Sequence, residues 1–224
     1  MRRAADVLAA LVGLVVAAPI LAAAAIAIRV TMGRPVLFRQ TRSGLHGTEF
    51  TVLKLRTMRD AKPHEVDHTY DADRLTRLGA FLRATSIDEL PQLWNVLRGE
   101  MSLIGPRPTL PEQVAHYTPR QRRRLEIRPG LTGWAQVHGR NLLSWPERIE
   151  LDLWYIDHRS LWIDLRIVAR TVARLLRPEG IAGAEGVNPG FPTTQDDHPT
   201  EPTTRDHPRD PDADPGTDDH GPQS

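Results

Sequence analysis

The order of apolar and polar residues divides the chain of 224 residues into three regions. An uncharged run of twenty-two residues extends from Val7 to Ile28. A mixed, amphipathic region follows to about Gly180, and the remainder is rich in Pro, Asp, Thr and His with almost no large apolar side chains. Such a remainder cannot bury enough surface to offset its ordering entropy. The pattern predicts a membrane-anchoring segment over 1–30, one folded domain over 31–180 and a disordered acidic tail over 181–224.

Within the folded domain, the alternation of side chains predicts two strands, Val36–Arg42 and Glu49–Arg56, joined by a turn over 43–47. Apolar residues at helical spacing predict helices further along the chain. They extend over Leu75–Arg83, from near Asp88 to Leu97, from Ser144 to about His158, and over Trp162–Leu176. The expected fold class is therefore α+β and mainly helical, with a β-hairpin in a small domain.

The predicted helices carry signals at their ends and on their faces. Ser144 and Glu147 match a capping box, and Gly99 is a stop signal just beyond the second helix. The last helix has arginines at four-residue steps, Arg166, Arg170 and Arg174. This polar face is either solvated or lies on anionic lipid, as in an interfacial helix.

The apolar run is compatible with three structures. A straight transmembrane helix needs about 20 apolar residues, which are present. A secretory signal peptide would share the basic start, although the run exceeds the usual apolar core and Asp6 interrupts the basic region. The third structure is a re-entrant hairpin bent at Pro19, whose arms of roughly 16 Å are too short to cross a core of about 30 Å. Basic residues on both sides of the run then place both ends in the cytoplasm.

Composition and charge restrict the classes of site and partner. No cysteine is present, so disulfides and thiolate metal sites are excluded. The net charge is only +1, but the chain from Phe191 onward has nine acidic side chains and two arginines. The rest of the chain is therefore basic. This suits phospholipid head groups, nucleotides or nucleic acid, and composition alone does not choose among these partners.

The segment Thr85–Leu97 contains the adjacent acids Asp88 and Glu89. In a structural interpretation, Ser86 and Glu89 form a capping box and both acids stabilise the positive end of a helix. Pro91 then lies in the helix interior, where its missing N–H already matters. A slightly later start brings Pro91 into the first turn and leaves both carboxylates at the mouth of the helix, where they could act in catalysis.

Basic and glycine-containing segments flank the acid pair: Lys54–Met58 precedes it, and Gly99–Pro108 and Arg128–Arg140 follow it. Arg107, between two prolines, suits bidentate binding of a phosphate. The glycines of the third segment let backbone N–H groups approach a ligand closely. Taken singly, each segment is also typical of an ordinary loop with surface arginines.

In this order, the motifs KLRTM, TSIDELPQLWNVLRGEMSLIGPRP and RPGLTGWAQVHGR resemble the bacterial sugar transferase family, the monotopic phosphoglycosyl transferases that start exopolysaccharide and glycan assembly. The resemblance runs from the apolar segment through Leu176. It implies transfer of a sugar 1-phosphate from a UDP-sugar to polyprenyl (undecaprenyl) phosphate, with release of UMP, at the cytoplasmic face of the bacterial cell membrane. It also implies contact with inner-membrane lipid, and no nucleic-acid partner is expected.

The resemblance implies roles for individual residues. Asp88 and Glu89 are the expected catalytic pair, with Asp88 as nucleophile and Glu89 as its helper, and both are candidate ligands of a required Mg²⁺. Pro19 is expected to bend a re-entrant membrane helix, and the chain to be a minimal form without a preceding multi-span domain. Candidates for phosphate contacts are Lys54, Arg56, Arg107 and Arg128.

Three positions depart from the family pattern. Glu100 stands where Asp is usual, His138 where Asn is usual, and Ala18 where some members have Ser. None touches the acid pair, and the sugar stays open. The alternative function is a non-catalytic, basic, membrane-anchored binding module. Such a module would interleave aromatic and basic residues on one surface, whereas the five Trp residues are scattered along the chain.

Overall fold

A computed structural model describes residues 2–65, 71–139 and 143–176. The predicted tail over 181–224 lies outside these residues. The described part is mostly helical and contains a small antiparallel sheet, as the sequence predicts.

The N-terminal apolar residues form one helix, α1 (Arg2–Thr31), which is long and apolar enough to cross a membrane. The helix runs through Pro19 without interruption, and a bend at this residue stays a prediction. One face buries small residues at seven-residue steps, Ala10, Ala17 and Ala24. The other face exposes large apolar side chains along most of its length: Leu8, Leu11, Val12, Val15, Val16, Ile20, Ile26 and Val30.

The predicted β-hairpin is confirmed to within one residue at each strand end. Strands β1 (Leu37–Ser43) and β2 (Glu49–Leu55) pair antiparallel, with Leu37 opposite Leu55 and Ser43 opposite Glu49. The connection is a short 3₁₀ turn, Leu45–Gly47, in which His46 and Gly47 have φ angles of 55° and 80°. This left-handed geometry favours Gly at the second position.

The remaining elements follow in chain order. They are α2 (Asp71–Arg74), α3 (Arg77–Ala84), α4 (Gln92–Arg98), β3 (Ser102–Ile104), α5 (Pro111–Ala115), α6 (Pro119–Arg122), β4 (Gly130–Thr132), α7 (Trp134–His138), α8 (Trp145–His158) and α9 (Leu161–Leu176). Strands β3 and β4 form a parallel pair that the sequence pattern does not predict. Strands of three residues are too short to show a side-chain period.

Helix ends follow the predicted signals in two cases and differ in a third. The capping box of Ser144 and Glu147 opens α8, and Gly99 stops α4 with a φ of 84°. Helix α4 begins at Gln92 instead of near Asp88, with Pro91 as its N-cap residue. The later start, which leaves the acids outside the α-helix, is therefore the correct one.

Two of the three arginines on the polar face of α9 contact the domain, so neither of the two expected surroundings, solvent or anionic lipid, describes this face. The guanidinium of Arg170 lies 5.7 Å from the centre of the Trp134 ring, and Arg174 donates to the carbonyl of Gln136 over 3.2 Å. Both partners belong to α7. The exposed face of α9 is apolar instead, formed by Leu161, Trp162, Leu165, Val168 and Val172.

Two apolar clusters join α1 to the domain. Ala10 packs with Phe50 and Val52 of β2, Leu93 and Val96 of α4, and Met101. Ala24 and Ile28 pack with Leu55 and Leu82. Since both clusters also contain β2 residues, α1 lies along the domain from its first turns to its last and contributes to the same core that supports the acid pair.

Candidate active site

The acid pair lies in a 3₁₀ turn, Ile87–Glu89, between α3 and α4. Ser86, which precedes the turn, has a φ of 56° and forms no side-chain cap hydrogen bond. The capping box considered for Ser86 and Glu89 is therefore absent, because the left-handed backbone at Ser86 starts a separate turn instead of the α-helix. The interpretation of Ser86 and Glu89 as a helix-capping pair is therefore wrong.

Glu89 is held by two cations from separate elements. Lys54 Nζ of β2 and Arg107 Nη2 of the segment after β3 each lie 2.7 Å from Glu89 Oε1. Burial of the Glu89 carboxyl raises its pKa, but the charges of Arg107 and Lys54 outweigh burial and hold the pKa below its ordinary value. Burial lowers the pKa of Lys54, and the charge of Glu89 opposes this effect. Glu89 is therefore a carboxylate at any pH near neutrality.

Asp88 has the opposite surroundings. Only 7% of the residue is exposed, and no described residue donates a hydrogen bond to its carboxyl or forms an ion pair with it. Burial and then the neighbouring charge of Glu89 raise its pKa from 3.8 to about 6, against the weaker effects of Lys54, Arg83 and Arg107. Asp88 is thus a carboxylate without a hydrogen-bonded partner, ionised at neutral pH and poorly stabilised in that form. These are properties of a nucleophile.

Close contact between two motif segments fixes the position of Arg107. The amide of Gly105 donates to Thr132 O over 2.9 Å, and the amide of Gly130 donates to Pro106 O over 2.8 Å. A Cβ added to Gly130 would lie 2.1 Å from the Gly105 nitrogen. Gly130 was expected to let backbone N–H groups approach a ligand. Its missing side chain instead allows close packing of the two backbone segments.

A buried ion pair contacts the segment that carries Arg107. Arg124 and Asp152, each with side chains only 3% exposed, lie 2.7 Å apart. Arg124 also donates to the hydroxyl of Tyr117 and, over 3.3 Å, to the carbonyl of Arg107. Because the pair is buried and bonded on several sides, it restrains the main chain from which the Arg107 side chain extends.

Of the predicted phosphate-binding residues, the structure brings Lys54 and Arg107 to the acid pair but not Arg56 or Arg128. The buried Arg56 binds the carbonyls of Arg34 and Met58 and the carboxylate of Asp60. Arg128 donates to Gly99 O over 2.8 Å at the far end of α4. The bonded atoms of these two arginines hold the chain together, and a phosphate contact by either stays a prediction.

Three further arginines were missed as candidates: Arg83 lies close to Asp88, and Arg42 and Arg148 lie close to Arg107. Arg83 of α3 donates to the Thr57 hydroxyl over 3.1 Å, and its charge acts on Asp88. Burial lowers the pKa values of Arg42 of β1 and Arg148 of α8, and the positive charge of Arg107 lowers them further. Arg42 and Arg148 are far from the acid pair in the sequence, so no spacing rule finds them, whereas Arg83 shortly precedes Asp88.

The departures at Glu100 and His138 lie in structural contacts. Glu100 accepts from Asn95 over 2.7 Å and pairs with Arg98. The His138 ring bonds Trp134 O over 2.8 Å and contacts Arg170 of α9. Neither side chain is bonded to a member of the acid pair.

The donor set fits Mg²⁺ only if substrate supplies further oxygens. Within residues 2–65, 71–139 and 143–176, no group of three or more His, Cys, Asp or Glu side chains is arranged to hold a metal ion. Mg²⁺ in phosphoryl-transfer sites typically takes one or two carboxylates and shares the substrate phosphates. Asp88 suits that role because it has no ion-pair partner in the described structure, and Glu89 is adjacent.

Comparison with known proteins agrees with the motifs. The model of a family described as bacterial sugar transferase matches residues 1–178. The chain is 50% identical over 154 residues to the uncharacterized sugar transferase EpsL of Bacillus subtilis, covering 69% of this chain and 76% of that protein. It is 48% identical over 185 residues to a UDP-glucose:undecaprenyl-phosphate glucose-1-phosphate transferase of Caulobacter vibrioides, covering 78% of this chain and 69% of that protein.

A third relative acts on a different sugar. It is the UDP-N-acetylgalactosamine-undecaprenyl-phosphate N-acetylgalactosaminephosphotransferase of Aeromonas hydrophila, 39% identical over 184 residues. The match covers 79% of this chain but only 44% of that protein.

Proposed function

Because the chain belongs to the bacterial sugar transferase family, we propose that it transfers a sugar 1-phosphate from a UDP-sugar to undecaprenyl phosphate. The products are UMP and an undecaprenyl-diphosphate sugar, at the first step of exopolysaccharide or glycan assembly. The observation that carries this proposal is the contrast within the acid pair: Asp88 is buried without a hydrogen-bonded partner, and Glu89 is held by Lys54 and Arg107.

In the first step, a carboxylate oxygen of Asp88 attacks the phosphorus that bears the sugar. The bond between this phosphorus and the bridging oxygen of the diphosphate breaks, and UMP leaves with the bonding electrons. The sugar phosphate is then attached to Asp88 through an acyl phosphate. Burial favours this reaction, since a carboxylate poorly solvated by water or protein is more reactive toward phosphorus.

In the second step, a phosphate oxygen of undecaprenyl phosphate attacks the same phosphorus. The acyl phosphate bond breaks, Asp88 leaves as a carboxylate and the new diphosphate bond is complete. No net proton transfer is needed if the attacking phosphate is already ionised.

Glu89 assists both steps mainly as a fixed negative charge. Its low pKa makes it a weak proton acceptor, but it holds Lys54 and Arg107 beside Asp88. Cations fixed in this way neutralise charge that develops on the transferred phosphoryl oxygens. Asp88 and Glu89 are also the residues that would hold Mg²⁺, which supplies the same neutralisation when it is bound.

We place the protein at the cytoplasmic face of the membrane, with α1 as a re-entrant element. Arg3 near the start of α1 donates to Val96 O and Leu97 O over 2.5 and 2.9 Å. Ile28 near its end packs with Leu55 and Leu82 of the same domain. A domain that holds a charged active site cannot lie within the hydrocarbon core, so these contacts favour both ends of α1 on one side.

The test is the release of UMP from a panel of UDP-sugars by the purified full chain with undecaprenyl phosphate, in the presence and absence of Mg²⁺. Relatives named for glucose and N-acetylgalactosamine make these two sugars the first to compare. Release that depends on both substrates supports the proposal. A binding module would release none.

A further inference from the structure

More positive charge surrounds Arg107 than the acid pair can balance. Lys54 and Arg107 share the single carboxylate of Glu89. Two further arginines, Arg42 and Arg148, lie close enough to Arg107 for its charge to lower their pKa values. With Asp88 ionised, four cations then face two carboxylates.

Arg42 reaches the site from β1. The next residue, Ser43, donates its amide to Thr109 O over 2.9 Å, which fastens the end of β1 to the segment that carries Arg107. Arg42 Nη2 donates to Gln40 Oε1 over 2.6 Å, a neutral partner. Arg42 is thus half-buried beside another arginine and bonded to an uncharged group.

Arg148 reaches the site from the first turn of α8. It lies four residues before Asp152, so both side chains belong to one face of the helix. Asp152 binds Arg124, and Arg124 binds the carbonyl of Arg107. The face of α8 that carries Arg148 is therefore directed toward the Arg107 segment.

The contacts of Arg148 are also uncharged. Its Nε donates to Leu143 O over 2.9 Å, and its guanidinium lies 5.3 Å from the centre of the Trp145 ring. Among the described acidic side chains, none forms an ion pair with Arg148 or with Arg42. These contacts orient the two guanidinium groups without neutralising them. The charge of Asp152 also acts on Arg148, but this carboxylate is already paired with Arg124.

Like charges held together in a partly buried place lower the stability of the protein unless an anion joins them. Guanidinium groups bind phosphate strongly through paired, charge-assisted hydrogen bonds. Lys54 and Arg107 already bind Glu89, so they cannot alone neutralise the roughly two negative charges carried by the diphosphate of a UDP-sugar or by the monoester phosphate of undecaprenyl phosphate.

We propose that Arg42 and Arg148 form, together with Arg107, a subsite for a substrate phosphate on the Arg107 side of the acid pair. The proposal rests on the proposed function and adds two binding residues to it. The phosphate belongs either to the diphosphate of the UDP-sugar or to undecaprenyl phosphate, since both present the same anionic oxygens.

The experiment compares Arg42→Gln and Arg148→Gln with Arg42→Lys and Arg148→Lys in the full-length protein. Arg39→Gln is the matched control. Arg39 is an exposed arginine of the same strand, and the alternation of side chains places it on the opposite face from Arg42. Thermal unfolding is measured with and without UDP, which is common to all candidate donors. KM is measured separately for the UDP-sugar and for undecaprenyl phosphate.

The Gln variants should unfold at or above the temperature of the unchanged protein when no ligand is present, because a repulsion has been removed. Stabilisation by UDP should fall and KM for the UDP-sugar should rise about tenfold or more, as for the loss of a charge-assisted hydrogen bond. The Lys variants should recover part of this loss. If KM rises only for undecaprenyl phosphate and the effect of UDP persists, the subsite holds the phosphate of the lipid.

The subsite is wrong if UMP release continues with both KM values within twofold of the control. It is also wrong if the Gln and Lys variants all unfold at lower temperature with unchanged stabilisation by UDP and an unchanged KM for undecaprenyl phosphate, since this is the behaviour of purely structural arginines. Absence of UMP release by the unchanged protein would instead count against the proposed function, and stabilisation by UDP that is lost in the Gln variants would still show that the two arginines bind phosphate.

Discussion

At the scale of single residues, the acid pair shows how neighbours in the chain acquire different chemistry. Asp88 lies in a 3₁₀ turn, and no described residue donates a hydrogen bond to its carboxyl, whereas the longer side chain of Glu89 reaches two cations. Burial acts on both carboxyls, but only Glu89 has charges close enough to reverse its effect on the pKa. Differences of this kind separate the roles of paired carboxylates in many enzymes.

Replacement of Asp88 by Asn should abolish UMP release while leaving the protein folded, because the amide is nearly isosteric but cannot form the acyl phosphate. The ligand-free variant should also be more stable than the unchanged protein at pH 7.5. A pKa raised from 3.8 to about 6 corresponds to about 3 kcal/mol against the ionised form.

This stability difference should depend on pH. A carboxyl with a raised pKa favours the folded state below pH 4, and that contribution is lost as the pH rises through 6. Thermal unfolding of the Asn variant should therefore match the unchanged protein near pH 4 and exceed it above pH 6. Wild-type activity in this variant would rule out Asp88 as the nucleophile.

Replacement of Glu89 by Gln should lower turnover by about 10²-fold or more, since Lys54 and Arg107 lose the charge that holds them beside Asp88. The measurement is the single-turnover rate of UMP release at saturating UDP-sugar. A residue with only a structural hydrogen-bonding role would tolerate Gln, so a rate within a few-fold of the unchanged protein would refute the catalytic role.

Turnover should fall as the pH is lowered through 6, because protonation of Asp88 removes the nucleophile. A profile of kcat/KM between pH 5 and 8 should show this single loss on the acid side, with Glu89 still ionised throughout. The measurement follows only the release of UMP in the first step, so that ionisation of undecaprenyl phosphate does not affect the profile. A flat profile down to pH 5 would contradict a buried, unpaired Asp88.

At the scale of elements, α9 directs polar side chains toward the domain and apolar side chains outward, the opposite of a helix on the surface of a soluble protein. Arg170 and Arg174 contact α7, and the large apolar residues of α9 are exposed, as are those on the outer face of α1. The ion pair between Arg2 of α1 and Asp164 of α9 spans 3.1 Å and joins the starts of the two helices. An apolar face of this length on a protein with an apolar anchor favours contact with lipid.

A charge on the exposed face of α9 should weaken membrane binding without unfolding the domain. Leu165→Glu is the test, with Thr41→Glu on the exposed side of the β-hairpin as control. Flotation of the full-length protein with vesicles of phosphatidylglycerol and phosphatidylethanolamine should show less bound protein for Leu165→Glu than for Thr41→Glu. Equal flotation of the two variants would mean that α9 does not touch lipid.

At the scale of the whole molecule, α1 is part of the domain and not a separate anchor. Its first turn binds the end of α4, Asp6 accepts hydrogen bonds from Ser102 and Leu103, and its last turns pack on β2 and α3. Membrane attachment and the support of the acid pair therefore depend on the same helix.

This arrangement predicts that Ala4 and the domain lie on the same side of the membrane. The chain has no native thiol, so a single Cys can be placed at Ala4 or at the exposed Arg122. Neither should react with an impermeant reagent in intact cells, and both should react once the cells are opened. Labelling at Ala4 but not at Arg122 in intact cells would show a straight span.

Pro19→Ala provides the matched comparison for this topology. Restoring the backbone donor should favour a straight helix and move Ala4 toward the outside in part of the molecules. Labelling identical to that of the unchanged protein would show that contacts between α1 and the domain, and not Pro19, determine the topology.

The sequence by itself determined the features that depend on local patterns. The apolar run, the β-hairpin, the capping box at Ser144 and the stop at Gly99 follow from spacing, turn chemistry and backbone preferences over a few residues. The motifs also identified the family and singled out Asp88, Glu89, Lys54 and Arg107, because long exact segments carry more information than any one residue.

The tertiary structure alone decided which side chains meet. Arg42 of β1 and Arg148 of α8 approach Arg107, and no local rule relates their positions in the chain. Arg56 and Arg128 were expected at the site from their motifs, yet their guanidinium groups bind backbone carbonyls elsewhere. The physical reason is that the burial of Asp88 and the charges of Lys54 and Arg107 arise from contacts between elements distant in sequence, and such contacts exist only after the chain has folded.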